Sequence, residues 1–182
     1  ESPMELAARM AKDTVIREKG IPAGDIGVFF ISPCAAKVTS VKAPYEKKES
    51  GVSGVLSMKD IHIRLIDKIR KIPADIQSEL VCSGFEGVGW ARSGGECYPL
   101  RSEQYLDVHG IHNVIKILEE IVEERLEGVE FVECLSCTEG CLGGPLTVEN
   151  PFVARTNLKW QINKAKQRDY SAQNSSEDYQ DL

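Results

Sequence analysis

Three cysteines, Cys134, Cys137 and Cys141, stand within eight residues in the run ECLSCTEGCLGGP. Disulfide frameworks rarely space cysteines so closely, and the first residues, ESPMELAARM, lack the basic-then-apolar pattern of a secretory leader. Clustered thiols in that setting read as metal ligands. Soft thiolate sulfur suits zinc or an iron–sulfur cluster. Gly140, Gly143 and Gly144 allow the backbone to bend closely round an inorganic core and aim N–H groups at its sulfides. A structural zinc site usually shows two C-x-x-C pairs; here one knuckle, Cys134 to Cys137, carries an added cysteine, and zinc stays open as an alternative. Cys82 and Cys97 stand apart and read as buried thiols. A thiol nucleophile would need a matched histidine. Of the three histidines, His62 and His112 fall in expected helices, and His109 ends an expected strand beside Gly110.

The elements that must position these residues follow from periodicity and punctuation. Residues Pro3 to Lys19 have helical apolar spacing, opened by Ser2-Pro3 and stopped by Gly20. After a turn at 22–25, Ile26–Ser32 reads as a short strand covered on both faces, since its apolar side chains hardly alternate. That strand delivers Cys34 just past its carboxyl end. Val38 to Val55 is lysine-rich and contains glycine, and reads as a loop. Ser57-x-x-Asp60 resembles a capping box for a helix over Met58 to Ile72, which Pro73 ends. Ser83 to Gly95 is a glycine-rich loop. Tyr105–Val108, His112–Leu126 and Val129–Leu135 then read as strand, helix and strand, a β–α–β unit with parallel strands. Asn150-Pro151 opens a last helix that runs to about Lys166, and the polar stretch after it reads as a disordered tail, 168–182.

The layout is α/β: one lobe, residues 1–167, with a small, mainly parallel sheet flanked by helices. Ligands in such sheets gather beyond the carboxyl ends of the strands. Both Cys34 and the Cys134–Cys141 group are expected there, converging on one place. Hydrophobic residues at 42% and charged residues at 27% are globular values. The longest apolar run, Ile26–Ile31, is far short of the roughly 20 residues that span a bilayer. A net charge of −6 argues against a nucleic-acid partner. No membrane partner is expected, and the cytoplasm is the expected location. The start at Glu1, inside a helical pattern, suggests a fragment of a longer protein.

Two motifs together resemble a known family. Pro33-Cys34-Ala35-Ala36-Lys37 is similar to the P-C-x-x-K-x-x-E motif of iron-only hydrogenases. Glu133 to Pro145 is similar to their E-x-M-A-C-x-x-G-C motif with its glycine-rich tail. Motif order, the wide spacing and the Ser2-Pro3-Met4 opening agree with the later part of that catalytic domain, over residues 2 to 160. The resemblance implies a 4Fe-4S cubane with Cys34, Cys137 and Cys141 as ligands, Cys141 being the one that bridges to a di-iron centre. It implies that Lys37 contacts a cyanide ligand of that centre. The fourth cysteine belongs to a T-S-C-C-P motif expected in a missing upstream half of the same protein.

Departures from the motifs qualify the chemistry that the resemblance implies. The motif glutamate is Ser40, two pocket methionines are Ser32 and Leu135, and the glycine tail shortens to Gly143-Gly144-Pro145. Losing the acid and the sulfur-lined pocket weakens hydrogen turnover more than it weakens the cubane. Cys134 is extra, a candidate fourth ligand or a packing residue. The reading is an iron–sulfur fragment serving redox or hydrogen sensing, or electron transfer, beside a ferredoxin-like domain or electron carrier. The fragment alone is expected to be inactive. Part of a true, ferredoxin-linked hydrogenase of an anaerobe is the alternative, and a zinc domain the second.

Overall fold

The computed structural model describes residues 2–45, 49–73 and 84–166. They divide into two units: Glu1–Ile76 with Gly143–Val148, and Gln77–Leu142 with Glu149–Leu182.

In the first unit, helix α1 (Pro3–Lys19) starts where Ser2 Oγ accepts the Glu5 N–H at 3.4 Å. It ends at Gly20, whose φ of 64° is the left-handed cap glycine tolerates without strain. Strands β1 (Phe29–Ser32) and β2 (Gly54–Ser57) pair in parallel, with Phe30 opposite Val55 and Ser32 opposite Ser57. Helix α2 (Ala35–Lys42) lies between them in sequence, and α3 (Met58–Ile69) follows β2 directly. Ser57 caps α3 by accepting the Asp60 N–H at 3.0 Å, as the capping pattern predicts.

The core of this unit is Met4, Ala8 and Val52, with Val28, Phe30 and Val41 packed against it. Glu5 fixes the approach to β2: its Oε2 accepts the Gly51 N–H at 2.8 Å, and its Oε1 accepts the Ser50 hydroxyl. Two expectations need correction here. The segment 38–55 is not a loop throughout, because α2 occupies its start and β2 begins at Gly54. Nor is the first strand covered on both faces. It is only four residues long, and Phe29 and Ile31 are 61% and 51% exposed, because α1 and the core cover the alternate face alone.

In the second unit, β3 (Tyr105–His109) and β4 (Phe131–Leu135) pair in parallel through α5 (Ile111–Val122). This is the expected β–α–β arrangement. Val114 is the buried residue of α5, whereas Ile115, Leu118 and Val122 lie open. The glycine-rich segment contains a short helix, α4 (Phe85–Gly89), packed on α6 (Pro151–Lys166). Asn150 caps α6, its Oδ1 accepting the Phe152 N–H at 3.0 Å. Cys82, residues 46–48 and the tail 168–182 lie outside the described residues. Among the described residues no helix is long and apolar enough to cross a membrane.

Candidate functional site

In the first unit, Cys34 is the residue that caps α2, in extended conformation with φ −112° and ψ 119°. Three contacts hold it there. Ser32, fully buried, accepts the Cys34 N–H on its hydroxyl at 3.0 Å. The Pro33 carbonyl accepts the Leu146 N–H at 3.0 Å. Gly144 packs so closely that a Cβ there would sit 2.3 Å from the Pro33 oxygen. Gly144 is therefore obligatory for the chain crossing beneath Cys34. Ser32 has a definite task as well: its hydroxyl pins the turn that bears Cys34. Lys37 is half-buried one helical turn beyond Cys34, and Ser40 is exposed.

In the second unit, β4 leads into the Cys137–Cys141 loop. Leu135, the last residue of β4, packs under Gly140: a Cβ on Gly140 would lie 2.8 Å from Leu135 Cδ1 and 3.0 Å from the Ala91 carbonyl oxygen. Strand alternation sends the exposed Cys134 to the opposite face from Leu135. The loop reverses through two consecutive residues with positive φ, Glu139 at 60° and Gly140 at 67°, and the Gly140 N–H donates to the Cys137 carbonyl at 3.1 Å.

A small polar cage holds that reversal. The buried Glu139 carboxylate accepts from Arg155 Nη1 of α6 at 2.8 Å. His109 accepts the Glu139 backbone N–H on Nδ1 at 3.2 Å, and its Nε2 lies 4.0 Å from Glu139 Oε1. With Nδ1 accepting, the proton of a neutral imidazole sits on Nε2, facing the carboxylate. His109 is thus a brace for the cysteine loop. His62 and His112 are exposed on their helices.

A second anchor lies one turn of chain away. Asp107 and Glu133 occupy paired register positions on β3 and β4. Like charges placed so would repel unless donors met them. They do. Glu133 is 2% exposed and accepts three backbone N–H groups, from Gly94 at 3.1 Å and from Glu96 and Cys97 at 3.0 Å each. Asp107 accepts the Ser93 hydroxyl at 2.8 Å. The glycine-rich loop is therefore strung over two strand carboxylates. Gly95 makes this possible, since a Cβ there would lie 2.5 Å from the Gly89 carbonyl oxygen. Cys97, fully buried as expected, is pushed up to about 12, first by desolvation and then by its bond to Glu133. It is an inert thiol at neutral pH.

Taken together, Cys34 belongs to the first unit and Cys134, Cys137 and Cys141 to the second. Among the described residues no three His, Cys, Asp or Glu side chains gather into a group that could hold a metal ion. Gly140 and Gly144 have reasons in chain packing; Gly143 lies in the short turn between them. Sequence reasoning did not anticipate the roles of Glu133, Glu139 or Arg155. Their partners come from distant elements, and a lone acid in a motif does not say what it accepts.

Comparison with known proteins bears on the fold that carries these residues. Residues 96–145, which include β3, α5, β4 and the cysteine loop, match the family described as iron only hydrogenase large subunit, C-terminal domain. No curated protein matches the chain significantly. Among solved structures the fold resembles that of an [FeFe]-hydrogenase, HydA(deltaEFG), whose structure reveals stepwise H-cluster assembly. The TM-score is 0.58 at 14% identity, over 94% of this chain and 59% of that one. The chain therefore has the α/β fold of the hydrogenase catalytic domain and spans about 59% of that hydrogenase's length. Sequence match and fold agree on one resemblance, the C-terminal domain of the iron-only hydrogenase large subunit.

Proposed function

We propose that the chain is part of an iron–sulfur protein of hydrogenase type, binding a 4Fe-4S cubane and serving redox or hydrogen sensing, or electron transfer. The observation that carries this reading is the family match over residues 96–145, which contains Cys137 and Cys141. The ligands proposed are Cys34, Cys137 and Cys141, by their place in the two motifs. The fourth is Cys134 or a donor from another segment. A preformed site is not required, because the free energy of binding a metal group orders its ligands. Bound there, the cluster would supply one-electron chemistry; the chain's own part is to hold the loop. The Glu139–Arg155–His109 cage supports that part, since it fixes Glu139, which sets the reversal between Cys137 and Cys141.

Sensing or electron transfer is preferred to hydrogen turnover because Ser40 is exposed where the motif has an acid, and Ser32 is a buried hydroxyl engaged with Cys34. One observation favours a di-iron enzyme as the second reading: Lys37 sits a single helical turn from Cys34, within reach of a group held there. Anaerobic reconstitution of the full-length protein with iron and sulfide tests the main proposal. It predicts about four irons per chain and a paramagnetic signal on reduction. Both should be lost in Cys137→Ser and Cys141→Ser and kept in Cys97→Ala. No four-iron signal refutes it, and one zinc per chain without visible absorption would replace it by the structural zinc reading.

A further inference from the structure

We propose that a basic cleft in the second unit, between α4 and α6, binds a small doubly charged oxyanion of phosphate or dicarboxylate type. The cleft holds about 200 Å³ and is lined by Arg92, Lys159, Asn163 and Lys166, with Phe85 and Tyr98 as an aromatic wall. Lys159, Asn163 and Lys166 stand at i, i+4 and i+7, so α6 presents them along one face. Arg92 faces them from the segment after α4.

Charge and unmet hydrogen bonding both point to an anion. Three cations meet a single lining acid, Glu86, and that acid lies 3.9 Å from Arg101. The chain's net charge is −6, yet the cleft carries a local excess of positive charge, and a recess focuses its field on small anions. Arg92 Nε is buried and has no hydrogen-bond partner. A buried guanidinium N–H without an acceptor is costly, and an oxyanion offers the planar pair of acceptors that arginine prefers. Lys166 is held ready, its Nζ 5.5 Å from the Phe85 ring centroid, and Phe85 is itself steadied edge-on by Tyr98 at 6.1 Å.

Size narrows the class. At about 200 Å³ the cleft has room for phosphate or a four-carbon dicarboxylate.

Titration calorimetry on the whole chain at low ionic strength, with inorganic phosphate and with succinate as probes, decides the matter. Saturable binding of either probe with a Kd of about 1 mM or tighter is expected, and which probe binds assigns the headgroup. Arg92→Met should weaken it at least about tenfold, and Lys159→Met or Lys166→Met should do so should the arginine variant fail to fold. Lys164→Met, on the same helix but outside the cleft, should leave it unchanged. Two results overturn the proposal: no saturable binding of either probe, or an equal loss in Lys164→Met, which would mark a diffuse charge effect.

Discussion

Replacing Glu133 by glutamine is the sharpest test of how the glycine-rich loop is held. Oε2 accepts two N–H groups, from Glu96 and Cys97, and Oε1 accepts the Gly94 N–H. A glutamine can keep its single oxygen toward the pair, but its NH2 then faces the Gly94 N–H, donor against donor. One hydrogen bond to a charged group is lost, about 1.5–3 kcal/mol. The two that remain fall to neutral strength, and a buried donor is left unsatisfied for about 1–3 kcal/mol more. Overlap between these effects brings the expected loss to about 3 kcal/mol, since contributions within one network are not additive.

Urea unfolding followed by tryptophan fluorescence reads this change, because Trp90 lies in the same segment and donates its Nε1–H to Glu96 at 3.0 Å. Amide exchange at Gly94, Glu96 and Cys97 should quicken together, by about a hundredfold for 3 kcal/mol of local opening. A loss below about 0.5 kcal/mol, with protection at those amides unchanged, would refute the idea that the strand carboxylate anchors the loop.

Further outcomes follow from the same contacts. Gly144→Ala should cost about 2–3 kcal/mol by overpacking, because its Cβ meets the Pro33 carbonyl; alkylation of Cys34 should quicken as the turn loosens. Cys97 should resist iodoacetamide in the folded chain at pH 8 while Cys34 and Cys134 react; modification at an equal rate would contradict its burial. Since the Cys97 value is raised from 9.0 to about 12, its contribution is complete below pH 9 and is lost as pH rises toward 12; Cys97→Ala should flatten stability against pH in that window. Arg155→Met leaves the buried Glu139 carboxylate with His109 alone. Because Arg155 is 45% exposed, the expected loss is discounted to about 1–2 kcal/mol, read by thermal unfolding. An unchanged midpoint would remove the cage.

Helix boundaries were legible where their causes are local. Ser2, Ser57, Asn150 and Gly20 mark caps that depend on residues within one turn, and the structure uses all four. The β–α–β unit was legible as well, because a long amphipathic helix between two apolar runs leaves few options. Helix α2 was missed: AAKVTSVK carries only Val38 and Val41 toward the core, too few for a stripe. The exposure of Phe29 and Ile31 could not be read from β1 itself, since coverage of a strand face is decided by other elements. The cysteine loop was visible in the residues; what holds it was not. Glu139 meets His109 from 30 residues away and Arg155 from 16, and no periodicity links such positions.

The way the chain threads its two units has a consequence for its biosynthesis. Residues 143–148 return to the first unit, where Leu146 bonds Pro33 and Lys59, before the chain goes back to complete the second. On a ribosome adding about 5–20 residues per second, the turn that bears Cys34 waits about 6 to 23 seconds for its last partner to be added. Neither unit can therefore be released as an uninterrupted stretch of chain, and a stop codon placed after Ile76 would leave the first unit without the strap that closes over Pro33.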